Sequence, residues 1–338
     1  MNGAESMLET LANNGVEVCF SNPGTSEMHM VAAMGKSSRM RSILCLFEGV
    51  CSGAADGYGR MTGKPASTLL HLGPGLSNAS ANLHNARKAY SPVINLIGDH
   101  ATYHKKYNTP LNSDVVGLAA PVSHWIETVA DAATLPAAAA RAVQAANVHP
   151  GQIATLIIPA DCAWNDSTAP LEAQDMPESL RVPVANIKQI AALLRNGKTT
   201  IMLMGNTALT EKCLELADQL SQATGVRLYC DTFTARLPRG AGRCSIEKLG
   251  YFAEQATEQI KDAEQLVMVG TTAPVGFFAY PGKVSEFYPA DSVLHTLAEV
   301  QHDAEQALTD LVAELDAGKF APRRIKLQKP QLERVNLT

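Results

Sequence analysis

Residues Ser42-Ile43-Leu44-Cys45-Leu46-Phe47, then Glu48, then Gly49-Val50-Cys51-Ser52-Gly53-Ala54-Ala55-Asp56-Gly57, decide how the chain is read. An apolar run of strand length gives way to small residues of helix length, and a single carboxylate stands at the junction. Glu48 has apolar neighbours on both sides. By itself, an acidic residue in the first turn of a helix is an ordinary start signal, favourable to the dipole by a few tenths to about 1 kcal/mol. The Gly, Ala and Ser that follow add something more, because a helix of small residues lets another backbone or a flat ligand approach closely.

The same strand-then-turn beat extends in both directions. An amphipathic start (Ala4, Met7, Leu8, Leu11) precedes an apolar run at 16–20 and the breaker Ser21-Asn22-Pro23-Gly24. Further runs are 67–72 before Gly73-Pro74-Gly75, 93–97 before Gly98-Asp99, and 155–159. Strands alternating with helix-length segments predict an α/β fold with a doubly wound parallel sheet. Residues 165–183 lapse into Asp, Ser, Pro and Glu, and the beat then resumes at 199–204, 210–224, 226–230 and 265–269. The expectation is therefore two doubly wound domains, at 1–163 and 183–318, joined by a linker over 164–182. The last stretch, 319–338, with Lys319, Arg323, Arg324, Lys326, Lys329, Pro322 and Pro330, reads as a polar connector.

Bulk properties agree and narrow the function. At 338 residues, the chain exceeds the size at which single cores stop growing. A net charge of -5 supplies no basic field for a phosphate backbone, so nucleic acid is not expected as a partner. The seven cysteines are odd in number and form no Cys-x-x-Cys pair, which disfavours a disulfide framework or a zinc site and fits a reducing cytoplasm. No apolar leader opens the chain and no run of about 18 apolar residues occurs, so no membrane segment is expected.

In doubly wound sheets ligands sit at loops leaving the carboxyl ends of strands. Four such loops stand out: Ser21-Asn22-Pro23-Gly24-Thr25, Phe47-Glu48-Gly49, His71-Leu72-Gly73-Pro74-Gly75-Leu76-Ser77-Asn78, and Gly98-Asp99-His100. Each has a plainer reading beside the functional one. Asn22-Pro23-Gly24 could be an ordinary turn, His71 a satisfied core histidine, and Asn78 a helix cap. Taken together, in this order and spacing, with Ala54-Ala55-Asp56-Gly57-Tyr58-Gly59-Arg60 and Pro92-Val93-Ile94, they resemble the pyrimidine-binding domain of thiamine-diphosphate-dependent enzymes of the acetolactate synthase and benzoylformate decarboxylase type. The likeness runs from Gly3 to Pro159 and continues more loosely to about Leu315.

That resemblance implies a chemistry. Glu48 would hydrogen-bond the aminopyrimidine ring of thiamine diphosphate and so activate the cofactor, which then attacks the carbonyl of a 2-keto acid and releases carbon dioxide. Asn22, Pro23, Gly24, Gly73 and Asn78 would contact the cofactor, and Thr25 and His71 would handle the substrate carboxylate and its protons. Homodimers or homotetramers are implied as well. Two departures stand against the pattern. Residues 271–280 carry no histidine where benzoylformate decarboxylase-like members have one, and no Gly-Asp-Gly motif for magnesium and diphosphate occurs. The chain therefore reads as the amino-terminal two-thirds of an acetolactate synthase-like enzyme, inactive by itself, with magnesium held by a domain it lacks. FAD in the second domain is possible by analogy but supported by no residue, and no metal site is expected within this chain.

Rival readings are weaker. A dinucleotide-binding oxidoreductase needs a third Gly where Gly73-x-Gly75-x-x-Asn78 has Asn. His100 and His104 are spaced like a metal pair but lack the intervening glutamate of zinc hydrolases, and there is no Gly-x-Ser-x-Gly elbow. A benzoylformate-type decarboxylase, or a catalytically inactive binding or regulatory module on the same fold, are the alternatives kept.

Overall fold

The structure, a computed structural model, describes residues 1–329, which divide into two compact units, 1–179 and 180–329. Pro330–Thr338, the end of the expected connector, lies outside the described residues.

The first unit is built on strands β1 (Val18–Asn22), β2 (Arg41–Leu44), β3 (Ala66–Leu70), β4 (Val93–Asp99), β5 (Trp125–Thr128) and β6 (Ile153–Pro159). They form one parallel sheet in the order β2-β1-β3-β4-β6-β5. Between them run helices α1 (Gly3–Asn13), α2 (Met28–Lys36), α3 (Glu48–Thr62), α4 (Leu72–Lys88), α5 (Val115–Ala119), α6 (Leu135–Ala146) and α7 (Ala160–Trp164). β4 and β6 are buried along their whole length, as unbroken apolar runs of a sheet covered on both faces must be. Two apolar clusters lie against the sheet, one joining Met7, Leu11, Leu69 and Leu96, the other Cys51, Ala55, Leu76 and Ile97.

Local chemistry fixes the helix ends. Asn2 and Glu5 make a reciprocal capping box at the start of α1, and Gly63 closes α3 at φ 72, a left-handed position that glycine adopts without strain. The small residues of α3 let it pack closely on α4. Asn82 donates to Gly49 O at 2.6 Å, and Ser52 Oγ donates to Ala79 O at 3.0 Å.

The expected strand at 42–47 is shorter than its apolar run. β2 ends at Leu44, and Cys45 to Phe47 form the loop into α3, with Leu44, Leu46 and Phe47 exposed at 73%, 95% and 48%. Within the run only Cys45 is buried, with Ile43 packed partly against the core. The expected linker also has more structure than its composition suggests. Ser6 donates to Thr168 O, Asn13 to Leu171 O, and Leu171 N to Thr10 Oγ1, which lays the segment along α1.

The second unit has β7 (Thr200–Met204), β8 (Arg227–Cys230), β9 (Glu247–Lys248), β10 (Gln265–Val269) and β11 (Val293–Ala298) in a parallel sheet of order β11-β10-β7-β8-β9. Its helices are α8 (Val184–Leu194), α9 (Glu211–Thr224), α10 (Ala253–Ile260) and α11 (Ala304–Glu314). Both sheets are of the doubly wound parallel type read from the sequence. The segment read as a connector packs on this unit as far as Ile325. Arg323 grips the buried Asp218 of α9 at 2.7 Å, and Gly242 and Arg243 exchange backbone bonds with Ile325.

Candidate active site

Glu48 is the first residue of α3 and is 8% exposed. Its Oε2 accepts from Asn78 Nδ2 at 3.0 Å, while Oε1 takes no other bond among the described residues. A Cβ added to Gly75 would lie 3.2 Å from Oε1, so the first turn of α4 passes directly over the carboxylate because position 75 has no side chain. The loop before Glu48 is held from the other side: Asn22, at the end of β1, donates to Cys45 O at 2.8 Å. The result is a half-satisfied, buried carboxylate with one oxygen left for a donor.

The second cluster centres on a residue that the sequence reading passed over. Glu27, fully buried, accepts from Gly24 N at 2.7 Å and His71 Nδ1 at 2.8 Å on Oε2, and from Ser26 Oγ at 2.8 Å on Oε1. Its carboxylate lies on the backbone of Gly98, where a Cβ would come within 1.8 Å of Oε1. With Nδ1 pointed at Glu27, the imidazole carries its proton there and leaves Nε2 for exchange with whatever enters beside it. Ser26 Oγ is also 3.3 Å from Nδ1. Gly24 is required here, since a Cβ would fall 2.2 Å from His71 Nδ1.

Thr25, Ser26, His71, His100, His104 and Trp164 line a cavity of about 360 Å³ at the carboxyl edge of the first sheet. The structure places Thr25 and His71 on one cavity wall together with Ser26, which is the hydroxyl in contact with the imidazole. His100 is held through Thr109 Oγ1 at 3.2 Å, and His104 packs on Tyr107 with ring centroids 5.4 Å apart. Among the described residues, no group of three metal-ligating side chains occurs.

Gly73 sits against the 109–118 segment, where a Cβ would meet Ser113 at 2.4 Å, so the glycine that faces Glu48 is Gly75. The two clusters are joined through α4: His71 is its N-cap, Gly75 N donates to His71 O at 2.7 Å, and Asn78 follows one turn on. Only a weak local signal singles out Glu27. Its Gly-x-x-Glu spacing from Gly24 was the available signal, the spacing of a reciprocal cap.

Over its first 133 residues the chain is similar to the thiamine-diphosphate-dependent enzymes. Residues 1–133 match the family model described as the thiamine pyrophosphate enzyme N-terminal TPP binding domain. The chain is 47% identical over its whole length to a Mycobacterium tuberculosis protein provisionally named acetolactate synthase large subunit IlvX, of which it covers 65%. It is 25% identical over 287 residues to benzoylformate decarboxylase of Pseudomonas aeruginosa, spanning 84% of this chain and 53% of that one. In fold it matches a thiamine diphosphate-dependent 4-hydroxybenzoylformate decarboxylase of Rhodococcus jostii RHA1, with TM-score 0.81 and 19% identity over 100% of this chain and 66% of that chain. The chain thus spans less than two thirds of the length of these relatives.

Proposed function

We propose that this chain is the cofactor-activating part of a thiamine-diphosphate-dependent enzyme that decarboxylates a 2-keto acid and joins the product to a second carbonyl, as an acetolactate synthase does. The observation that carries the proposal is Glu48: a buried carboxylate with Oε2 committed to Asn78 and Oε1 available. The donor set fits the aminopyrimidine, which needs one carboxyl oxygen at hydrogen-bond distance and a cleft a flat ring can enter. Bound there, thiamine diphosphate supplies a carbon nucleophile and an electron sink for decarboxylation.

This chain's own residues would do the rest. Asn78 and Asn22 fix Glu48 and its loop, Gly24 makes room for His71 and Gly75 for Glu48, and Pro23 and Gly24 would contact the ring as the family resemblance implies. His71, oriented by Glu27, would hold or move a proton at Nε2, with the Thr25 hydroxyl placed for a substrate carboxylate. Magnesium and the diphosphate would be held by the part of the relatives this chain does not span, in a cytoplasmic homodimer or homotetramer, and the chain alone would turn nothing over. The seven free, buried thiols support a reducing compartment. Among the described residues, no helix is long and apolar enough to cross a membrane.

A second reading, a benzoylformate-type decarboxylase, is favoured by the Ser26–Glu27–His71 cluster beside a cavity wide enough for an aryl group.

The test is consumption of pyruvate and of benzoylformate, with thiamine diphosphate and magnesium, by the full reading-frame product and by its Glu48→Gln variant. Loss of about 100-fold or more in the variant is expected, the lower end for a group acting in proton transfer. The product from each substrate separates synthase from decarboxylase. An active parent with an unimpaired variant removes Glu48 from the mechanism. A parent inert with both acids, with or without a partner chain, leaves a binding module on the same fold.

A further inference from the structure

We infer that the crevice at the carboxyl edge of the second sheet is a binding site for a small aromatic cation. The inference stands independently of the thiamine-diphosphate reading. In the order β11-β10-β7-β8-β9, the chain winds from β7 outward to β9 on one side and from β10 to β11 on the other. The switch point is therefore between β7 and β10, where doubly wound sheets open their ligand crevice. Gly205 and Thr271 lie just beyond those two strands, and Asp231 just beyond β8. A Cβ on Gly205 would fall 2.2 Å from Asp231 Oδ2 and 2.7 Å from Thr271 Cβ, so the glycine makes room for an acid at the base of the crevice.

Asp231 is the polar anchor. The Thr271 hydroxyl lies 3.0 Å from Oδ1 and 2.8 Å from Oδ2, yet one hydroxyl has one proton and a carboxylate has about four lone-pair directions. Acceptor capacity therefore remains on the side that lines a cavity of about 380 Å³. Burial pushes the Asp231 carboxyl from 3.8 up to about 6, the Thr271 hydroxyl opposing this only in part. A positive charge arriving beside it would relieve that cost. Neighbouring Cys230 is itself pushed up by burial, and Lys248 is turned to the Thr232 carbonyl at 3.4 Å.

The walls select the shape of the ligand. Phe233, Tyr251 and Phe277 line the same cavity and remain exposed at 59%, 44% and 60%. Phe277 stands 5.0 Å from Phe233 and 6.3 Å from Tyr251 between ring centroids, and Phe278 continues the group 4.5 Å from Phe277. Large aromatics gathered and left open to water mark a surface that binds something. Their faces carry negative quadrupole charge and so favour a cation, and a flat ring stacks on them. A carboxylate at the base with aromatic walls above is matched by a planar ring bearing an amidinium or ammonium group.

Phosphate-bearing ligands are disfavoured by the same geometry. In the first turn of α9 the Cys213 N–H is taken by the helix's own cap, donating to Thr210 Oγ1 at 3.1 Å, and Asp231 would repel an anion beside it.

The test titrates benzamidine, benzamide and benzoate into the chain by calorimetry. Benzamidine is expected to bind at least about tenfold more tightly than its neutral isostere benzamide, with benzoate weaker still. Because the Asp231 carboxyl is pushed up to about 6, lowering the pH from 7.5 to 5 should weaken benzamidine about tenfold and leave benzamide unchanged. Asp231→Asn should remove the preference for the cation, and Phe277→Ala should weaken both ligands, with far-UV circular dichroism confirming that each variant folds. If Asp231→Asn does not fold, the pH series on the parent still decides. Benzoate binding as tightly as benzamidine, or benzamidine binding that ignores both pH and Asp231→Asn, overturns the inference. So does self-association that Phe277→Ala abolishes in a chain that binds no benzamidine, which would make the aromatic group a protein contact.

Discussion

Replacing Glu27 by Gln changes one atom at a point where three donors converge: Gly24 N at 2.7 Å, His71 Nδ1 at 2.8 Å and Ser26 Oγ at 2.8 Å. The amide can keep its oxygen toward Gly24 and His71 and turn its nitrogen to Ser26, whose hydroxyl can reverse and accept. The geometry survives, but three bonds to a carboxylate become three neutral ones. Bonds to charged groups contribute about 1.5–3 kcal/mol and neutral ones about 0.5–1.5, so a loss of about 2–3 kcal/mol is expected for the first unit. Trp125 and Trp164, the two tryptophans of the sequence, both lie in that unit, so tryptophan fluorescence during urea unfolding reads it selectively. The thermal midpoint should fall by roughly 5–10 °C for a unit of this size. In the full reading-frame product, turnover should fall while cofactor affinity holds, since Glu48 and Asn78 are untouched. A change within about 0.5 kcal/mol, the range of ordinary surface substitutions, would refute the claim that Glu27 organises this cluster.

Gly98→Ala attacks the same cluster by volume: its Cβ would lie 1.8 Å from Glu27 Oε1, and the forced displacement should destabilise the first unit by about 1–3 kcal/mol in the same fluorescence assay. The buried thiols should be inert. Burial pushes Cys19 up to about 12 and Cys162, Cys213 and Cys230 to about 11, so a disulfide reagent at pH 8 should titrate none of these four until denaturant is added. Asp231 predicts a pH dependence for the second unit. Its carboxyl is raised from 3.8 to about 6, so between those values the folded unit holds a proton that the unfolded chain has released. Its contribution to stability therefore declines as pH rises from about 4 to 6 and stays low above. Circular-dichroism melts at pH 5 and 7.5 should show Asp231→Asn gaining on the parent at the higher pH, by at most about 1.4 kcal/mol, since roughly half of the full effect is already lost by pH 5.

The sequence by itself determined the fold class and the position of Glu48. Period and punctuation are local properties, and the buried runs of β1, β3, β4, β6, β7 and β10, each ending at a breaker, could be read without knowing their neighbours. Local reading failed where a residue's meaning depends on a distant partner. The run at 42–47 is apolar as a core strand would be, but β2 is an edge and its last residues leave the sheet. β5 and β9 are short segments that become strands because a neighbouring strand offers them hydrogen bonds. Thr25, His71 and Gly98 could be picked out one by one, while Ser26 and Glu27 were not. Their association exists only because β1 and β4 flank β3, which sets the turns after all three strands side by side. Asp231 is of the same kind, an unremarkable aspartate until Gly205 and Thr271 close around it. Composition and spacing specify which segments become strands and which residues stand at their ends. Only the order and register of the strands decide which ends meet, because pairing joins residues far apart in the chain.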